Sequence, residues 1–218
     1  MNIVETSPRI AVLGAGRVGS ALARVTVEAG YPVSVSASRG PDDLELIASV
    51  VMPGATPMWT ADAIAAGDVV VLAIPLHRFP ALDPALFADK IVVDGMNYWP
   101  PIDGRQEFFE RGGAGSSEIV QDHLSSAHVV KTFNHLGYHE IEDDRRPVGD
   151  ADRRALGVAG DDRRAVELVA SIVDRIGFDP VTFTSLRDGR AFQPGEPAFG
   201  NLLTRPQFLE LVPRRVAA

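Results

Sequence analysis

The stretch Ile10-Ala11-Val12-Leu13-Gly14-Ala15-Gly16-Arg17-Val18-Gly19 decides how this chain folds. Its first four residues form a short apolar run of the kind that makes a buried strand. Residues 18–28 then carry a helical spacing that stops at Gly30. Between strand and helix lies a Gly-x-Gly-x-x-Gly turn. In this context the first glycine permits a tight turn, the second lets backbone approach a pyrophosphate, and the third lets helix and strand pack closely. The helix N-terminus adds free N–H donors for phosphate oxygens. The competing reading is a glycine-rich turn that serves packing alone.

Working outward, the same alternation continues. Strands are predicted over 32–37, 57–59, 69–74, 91–94, 129–133, 156–159 and 181–183, and helices over 42–50, 61–66, 118–124, 161–176 and 206–211. The polar stretch 140–152 reads as a surface loop or hairpin. Strand–helix alternation implies an α/β fold: a Rossmann-type, doubly wound, mainly parallel sheet with a short C-terminal extension. The division expected is an NADP-binding domain over 1–184 and an extension over 185–218 that contributes to a substrate crevice or a dimer interface. Ligands of such sheets sit beyond the C-terminal strand ends. Those ends fall near Gly14, Ser38, Pro75, Asn97, Asn134 and Gly160.

The choice of dinucleotide is made about 20 residues after the glycine loop, where an NAD site places an acid on the ribose hydroxyls. Here the residues are Ser36-Ala37-Ser38-Arg39-Gly40, with no acid before Asp42. A hydroxyl and a guanidinium suit a 2′-phosphate that a carboxylate would repel, so the expected cofactor is NADP. Arg39 as a solvated loop arginine is the alternative. The expected cofactor contacts are Gly14, Ala15, Gly16, Arg17, Val18, Gly19, Ser38, Arg39, Ala73, Ile74, Pro75, His77, Asn97 and Asn134.

The glycine loop, the Ser38-Arg39 pair and the strand end Ala73-Ile74-Pro75 together resemble the NADP-dependent reductases of the deazaflavin coenzyme F420. The stretches Ser116-Ser117-Glu118-Ile119-Val120, Val129-Val130-Lys131-Thr132-Phe133-Asn134 and Gly160-Asp161-Asp162 are similar to that family as well, so the likeness spans most of the chain. It implies hydride transfer between the nicotinamide C4 and the C5 of a deazaflavin. Coenzyme F420 or a flavin is then the second substrate, and a general acid is dispensable because both rings are cofactors. Residues 177–218, with the Pro/Gly-rich run 193–197, depart from the pattern.

Other side chains carry open alternatives. His77 and His135 are the candidate catalytic groups, as hydrogen-bond partners or acids, or else ordinary loop and turn histidines. Asn134 can meet a carboxamide or merely cap a turn. Lys131, one of two lysines in the chain, reads as structural, pairing with an acid or covering the sheet edge, ahead of catalytic. Tyr98-Trp99 at a strand end can flank a planar substrate or pack a subunit interface. Arg187, Arg190 and Arg205 can meet an anionic tail.

Composition narrows the classes. There are no cysteines and the histidines lack metal-site spacing, so neither disulfides nor a metal site is expected. The net charge of −8 argues against nucleic acid, and no apolar run is long enough for a membrane span. A polar start over 1–9, unlike a signal peptide, points to the cytoplasm. The expected partner is a small-molecule or cofactor substrate, in a homodimer. The alternatives to an F420- or flavin-linked reductase are an NADP-binding sensor or scaffold without turnover, and a reductase of small carbonyls or imines using His77 or His135.

Overall fold

The computed structural model describes residues 7–110 and 113–212, with the backbone alone at Ile102. Most of the polar start, and the last residues of the extension, lie outside the described residues.

The chain forms one sheet of eight strands: β1 Ile10–Leu13, β2 Val33–Ser36, β3 Thr56–Pro57, β4 Val69–Leu72, β5 Ile91–Asp94, β6 His128–Lys131, β7 Ala155–Gly160 and β8 Asp179–Phe183. Their spatial order is β3-β2-β1-β4-β5-β6-β7-β8. The order reverses at β1, between β2 and β4, and this is where a doubly wound sheet opens a crevice. Every pair is parallel except β6–β7.

The helices are α1 Arg17–Glu28, α2 Pro41–Val51, α3 Thr60–Ala66, α4 Pro100–Asp103, α5 Ser116–His123, α6 Glu140–Asp143, α7 Arg163–Ile176 and α8 Arg205–Leu211. Successive strand residues point to opposite faces, and the apolar ones are shared between two cores. Ile10, Val12, Val69 and Val71 face a core with α1, α2 and α7, whereas Ala11, Leu13, Val70 and Leu72 face one with α3 and α5. Register aligns the strand ends at one edge: Ser36 beside Leu13, Leu13 beside Leu72, Leu72 beside Asp94, and Asp94 beside Lys131. Among the described residues no helix is long and apolar enough to cross a membrane.

Two expectations are corrected. Strand β7 runs antiparallel to β6, with Ala159 opposite Lys131 and Gly160 opposite Val130, so the chain leaves Gly160 heading away from the edge where the other strand ends gather. The connection between β6 and β7 holds a single helical turn, α6, and no longer crossover helix. The stretch 140–152 is also more than a solvated loop. It contains α6, which Arg24 ties to α1 through Glu142 at 2.6 Å, and which Arg154 ties to β7 through Glu140 at 2.8 Å. Arg154 is itself buried, and Asp144 gives it a second carboxylate at 2.7 Å.

Residues 185–212 pack on β7 and β8. Phe192 and Phe208 join Phe183 and Val181 in a third apolar cluster. Arg190 and Arg205 pair with Glu118 and Asp179 there.

Candidate functional site

Strand β1 ends at Leu13 and the chain turns at Gly14, whose φ of +115° lies where L side chains rarely go. A Cβ at Gly14 would sit 2.3 Å from the Ala73 carbonyl oxygen. One at Gly19, in the first turn of α1, would sit 1.9 Å from the Gly14 carbonyl oxygen. A Cβ at Gly16 would meet nothing within 4 Å. Two glycines therefore let backbone meet backbone, and the middle one faces open space. Gly16 is also the N-cap of α1, with no side-chain cap and no acid in the following turn. The positive end of the helix is thus left for an outside anion.

In front of this turn lies a cleft of about 1020 Å³. Its wall brings together Gly14 to Val18, Ser38, Arg39 and Ala73 to Pro75 from the sequence-based expectation. Gly19 sits behind the wall as a packing residue. His77, Asn97, Asn134 and His135 are not on the lining; instead Asp43, Thr60, Arg78 and Tyr138 are.

The exchange of His77 for Arg78 has a geometric cause. Leu76–Ala81 is a 3₁₀ segment rather than an extended loop. With three residues per turn, positions three apart eclipse one another. Pro75, Arg78 and Ala81 share the cleft side, Leu76 and Phe79 are buried, and His77 and Pro80 face outward. Nothing in the local sequence announced the 3₁₀ period, because Pro80 inside the segment reads as a breaker.

Nine of the sixteen described arginines are engaged by carboxylates, as Arg9 is by Asp68 and Arg153 by Asp174, while Arg146, Arg164, Arg175 and Arg187, away from the cleft, are not. Arg17, Arg39 and Arg78 have no carboxylate partner among the described residues, and all three line the cleft. Arg17 lies over the Tyr138 ring, 5.3 Å from its centre, which steadies the guanidinium without neutralising it. Asp43, on the first turn of α2, is the acid on the wall.

Past β5 and β6, Lys131, Asn134 and His135 are buried, and Asn97 and Tyr98 are half-buried. Lys131 is fully buried, donating to Asp94 Oδ2 at 3.3 Å and to the Met96 carbonyl at 2.8 Å, so it takes the acid-paired structural role. Asn134 donates to Asn97 Oδ1 at 3.1 Å and to the Phe192 carbonyl at 2.8 Å, which places both asparagines under the C-terminal segment. Tyr98 stacks on Phe109, and its hydroxyl donates to Glu110 at 3.0 Å.

His135 is buried, and its Nε2 accepts from the Gly157 N–H at 3.2 Å. The proton must then be on Nδ1, which donates to Asn134 Oδ1 at 3.2 Å. Both ring nitrogens are used, and the candidate acid is buried away from the cleft lining. Burial first, then the charges of Arg154 and Lys131, pushes its pKa down to about 3. An unfolded histidine titrates near 6.5, so stability present above that pH is lost as pH falls from about 6.5 towards 3, by roughly 3 kcal/mol at pH 4.5. Thermal unfolding of wild type and His135→Gln at pH 7 and 4.5 checks this. An equally steep loss in the variant would place the titration elsewhere.

The family model "NADP oxidoreductase coenzyme F420-dependent" matches residues 9–98, from β1 through the end of β5. No curated protein matches the chain. Among solved structures, a hypothetical protein from Sinorhizobium meliloti is 30% identical, with a TM-score of 0.79, covering 93% of this chain and 98% of that one. A protein assigned as an F420-dependent NADP reductase from Arthrobacter sp. FB24 is 26% identical, with a TM-score of 0.68, covering 85% of this chain and 88% of that one. An imine reductase from Pseudomonas sp. shares the fold at 18% identity and a TM-score of 0.56; it is longer, and the alignment covers 94% of this chain but 60% of that one.

Fold, cleft and family match together define the class, an NAD(P)-dependent oxidoreductase of Rossmann type. Within it, residues 9–98 match the family of coenzyme F420-dependent NADP oxidoreductases.

Proposed function

We propose that this protein transfers a hydride between NADP(H), bound along the glycine-loop cleft, and a deazaflavin or flavin-type ring acceptor. The observation that carries the reading is a cleft where the open Gly16 helix end is joined by Ser38 and Arg39, with no acid at the end of β2. The residues fit the group. The first turn of α1 can hold the pyrophosphate through backbone N–H groups, and Ser38 and Arg39 can hold the 2′-phosphate. When bound, the nicotinamide supplies the hydride at its C4. The chain's own contribution is to bind and orient, since alignment of reactants alone lowers a barrier substantially.

The positions of the two histidines favour this reading over a carbonyl or imine reductase that needs a protein acid. His135 is neutral and enclosed, and His77 faces away from the cleft. The assay is direct: purified protein is mixed with NADPH and oxidised coenzyme F420, and in parallel with FMN. The expected result is loss of the reduced-nicotinamide absorbance with matching reduction of at least one acceptor. Tight NADPH binding with no turnover of either would overturn it in favour of a sensing role.

A further inference from the structure

We infer that Arg78 is a second specificity-determining arginine, closing on the 2′-phosphate from the side opposite Arg39. The inference rests on the NADP reading above and adds a residue to it.

Charge on the cleft wall makes the first argument. Arg39 does not act alone there, because Asp43 stands on the same wall, on the first turn of the helix that follows the Ser38-Arg39 loop. One guanidinium beside one carboxylate leaves little net attraction for a phosphate that carries close to two negative charges. Arg78 restores the balance toward the anion.

Topology makes the second. Strands β2 and β4 flank β1 on either side, with Leu13 in register with both Ser36 and Leu72. The loops carrying Arg39 and Arg78 therefore rise from strands about 10 Å apart, two strand spacings. Two long side chains can close a gap of that width over a phosphate.

Presentation makes the third. Arg78 sits in the 3₁₀ segment that Leu76 and Phe79 anchor in the core, and its N–H donates to the Pro75 carbonyl at 2.9 Å. The backbone is held while the guanidinium is exposed and has no carboxylate partner among the described residues. An arginine anchored this way loses little backbone freedom when it takes up an anion.

The test is a titration of wild type, Arg78→Ala, Arg78→Lys and Arg39→Ala with NADPH and NADH. Binding is read from tryptophan fluorescence, because Trp59 packs on Gly40 beside Arg39. Arg78→Ala is expected to weaken NADPH by about 10- to 100-fold, the scale of one lost charge-assisted hydrogen bond. NADH should stay within about twofold, since it lacks the phosphate. Arg78→Lys should recover part of the loss, because it keeps the charge without the fork. Arg78→Ala that leaves NADPH unchanged, or weakens both dinucleotides alike, overturns the inference while the NADP reading stands. A wild type with no preference for NADPH overturns the NADP reading itself and this inference with it.

Discussion

Gly19→Ala is expected to lose dinucleotide binding by at least about 100-fold, because the phosphate-facing N–H groups move together when the loop is forced open. The added Cβ would fall 1.9 Å from the Gly14 carbonyl oxygen and 2.9 Å from its carbon. Both are backbone atoms, so no side-chain rotation relieves the overlap. Either the turn must widen or α1 must lift from β1, and overpacking of this kind costs about 1–3 kcal/mol of stability. Gly16→Ala is the informative contrast. Its Cβ meets no protein atom within 4 Å, so melting temperature should hold while NADPH affinity falls. Calorimetric titration and thermal melts on both variants separate packing from ligand space. Gly19→Ala with wild-type affinity would remove the glycine loop from the binding site.

Lys131→Met should be the most destabilising change at a polar position. Lys131 and Asp94 are register partners on β5 and β6, and both are fully buried. The carboxylate is held from three directions: by Lys131, by the Met96 N–H at 3.0 Å and by the Ser117 hydroxyl at 2.6 Å. Burial drives the lysine pKa down, and Asp94 works against that. Removing the ammonium leaves a buried carboxylate without its counter-charge, a change that typically costs about 3–5 kcal/mol. Adding Asp94→Asn should recover much of the loss, since the amide can still bond Met96 and Ser117 without a charge. Denaturant midpoints of the single and double variants measure this. A single variant within about 1 kcal/mol of wild type would mean that the pair is not an ion pair.

The parts of the site legible in the sequence are those made by neighbouring residues. Gly14, Gly16 and Gly19 declare their turn because strand and helix lie immediately on either side. Ser38 and Arg39 follow from the known offset to the end of β2. All of these line the cleft except Gly19, which packs behind its wall. Arg78 and Tyr138 were not legible: one depends on a 3₁₀ period, and the other on the fold of a segment more than a hundred residues away from Arg17.

The histidines show the same division. His77 was singled out by its place after a strand and His135 by its place after another, yet position along the chain does not say which way a side chain points. One turned outward on a three-residue period; the other was covered when the C-terminal segment laid Phe192 and Gly200 across the end of β6.

The sequence by itself determined the alternation of strands and helices, the turn at Gly14–Gly19 and the polar pair at Ser38–Arg39, since each is set by residues within one or two turns of one another. The tertiary structure alone decided the reversed direction of β7, the burial of Lys131 against Asp94 and the choice of Arg78 over His77. These depend on which distant surfaces meet, and a pairing between strands is stabilised by partners that no local pattern names.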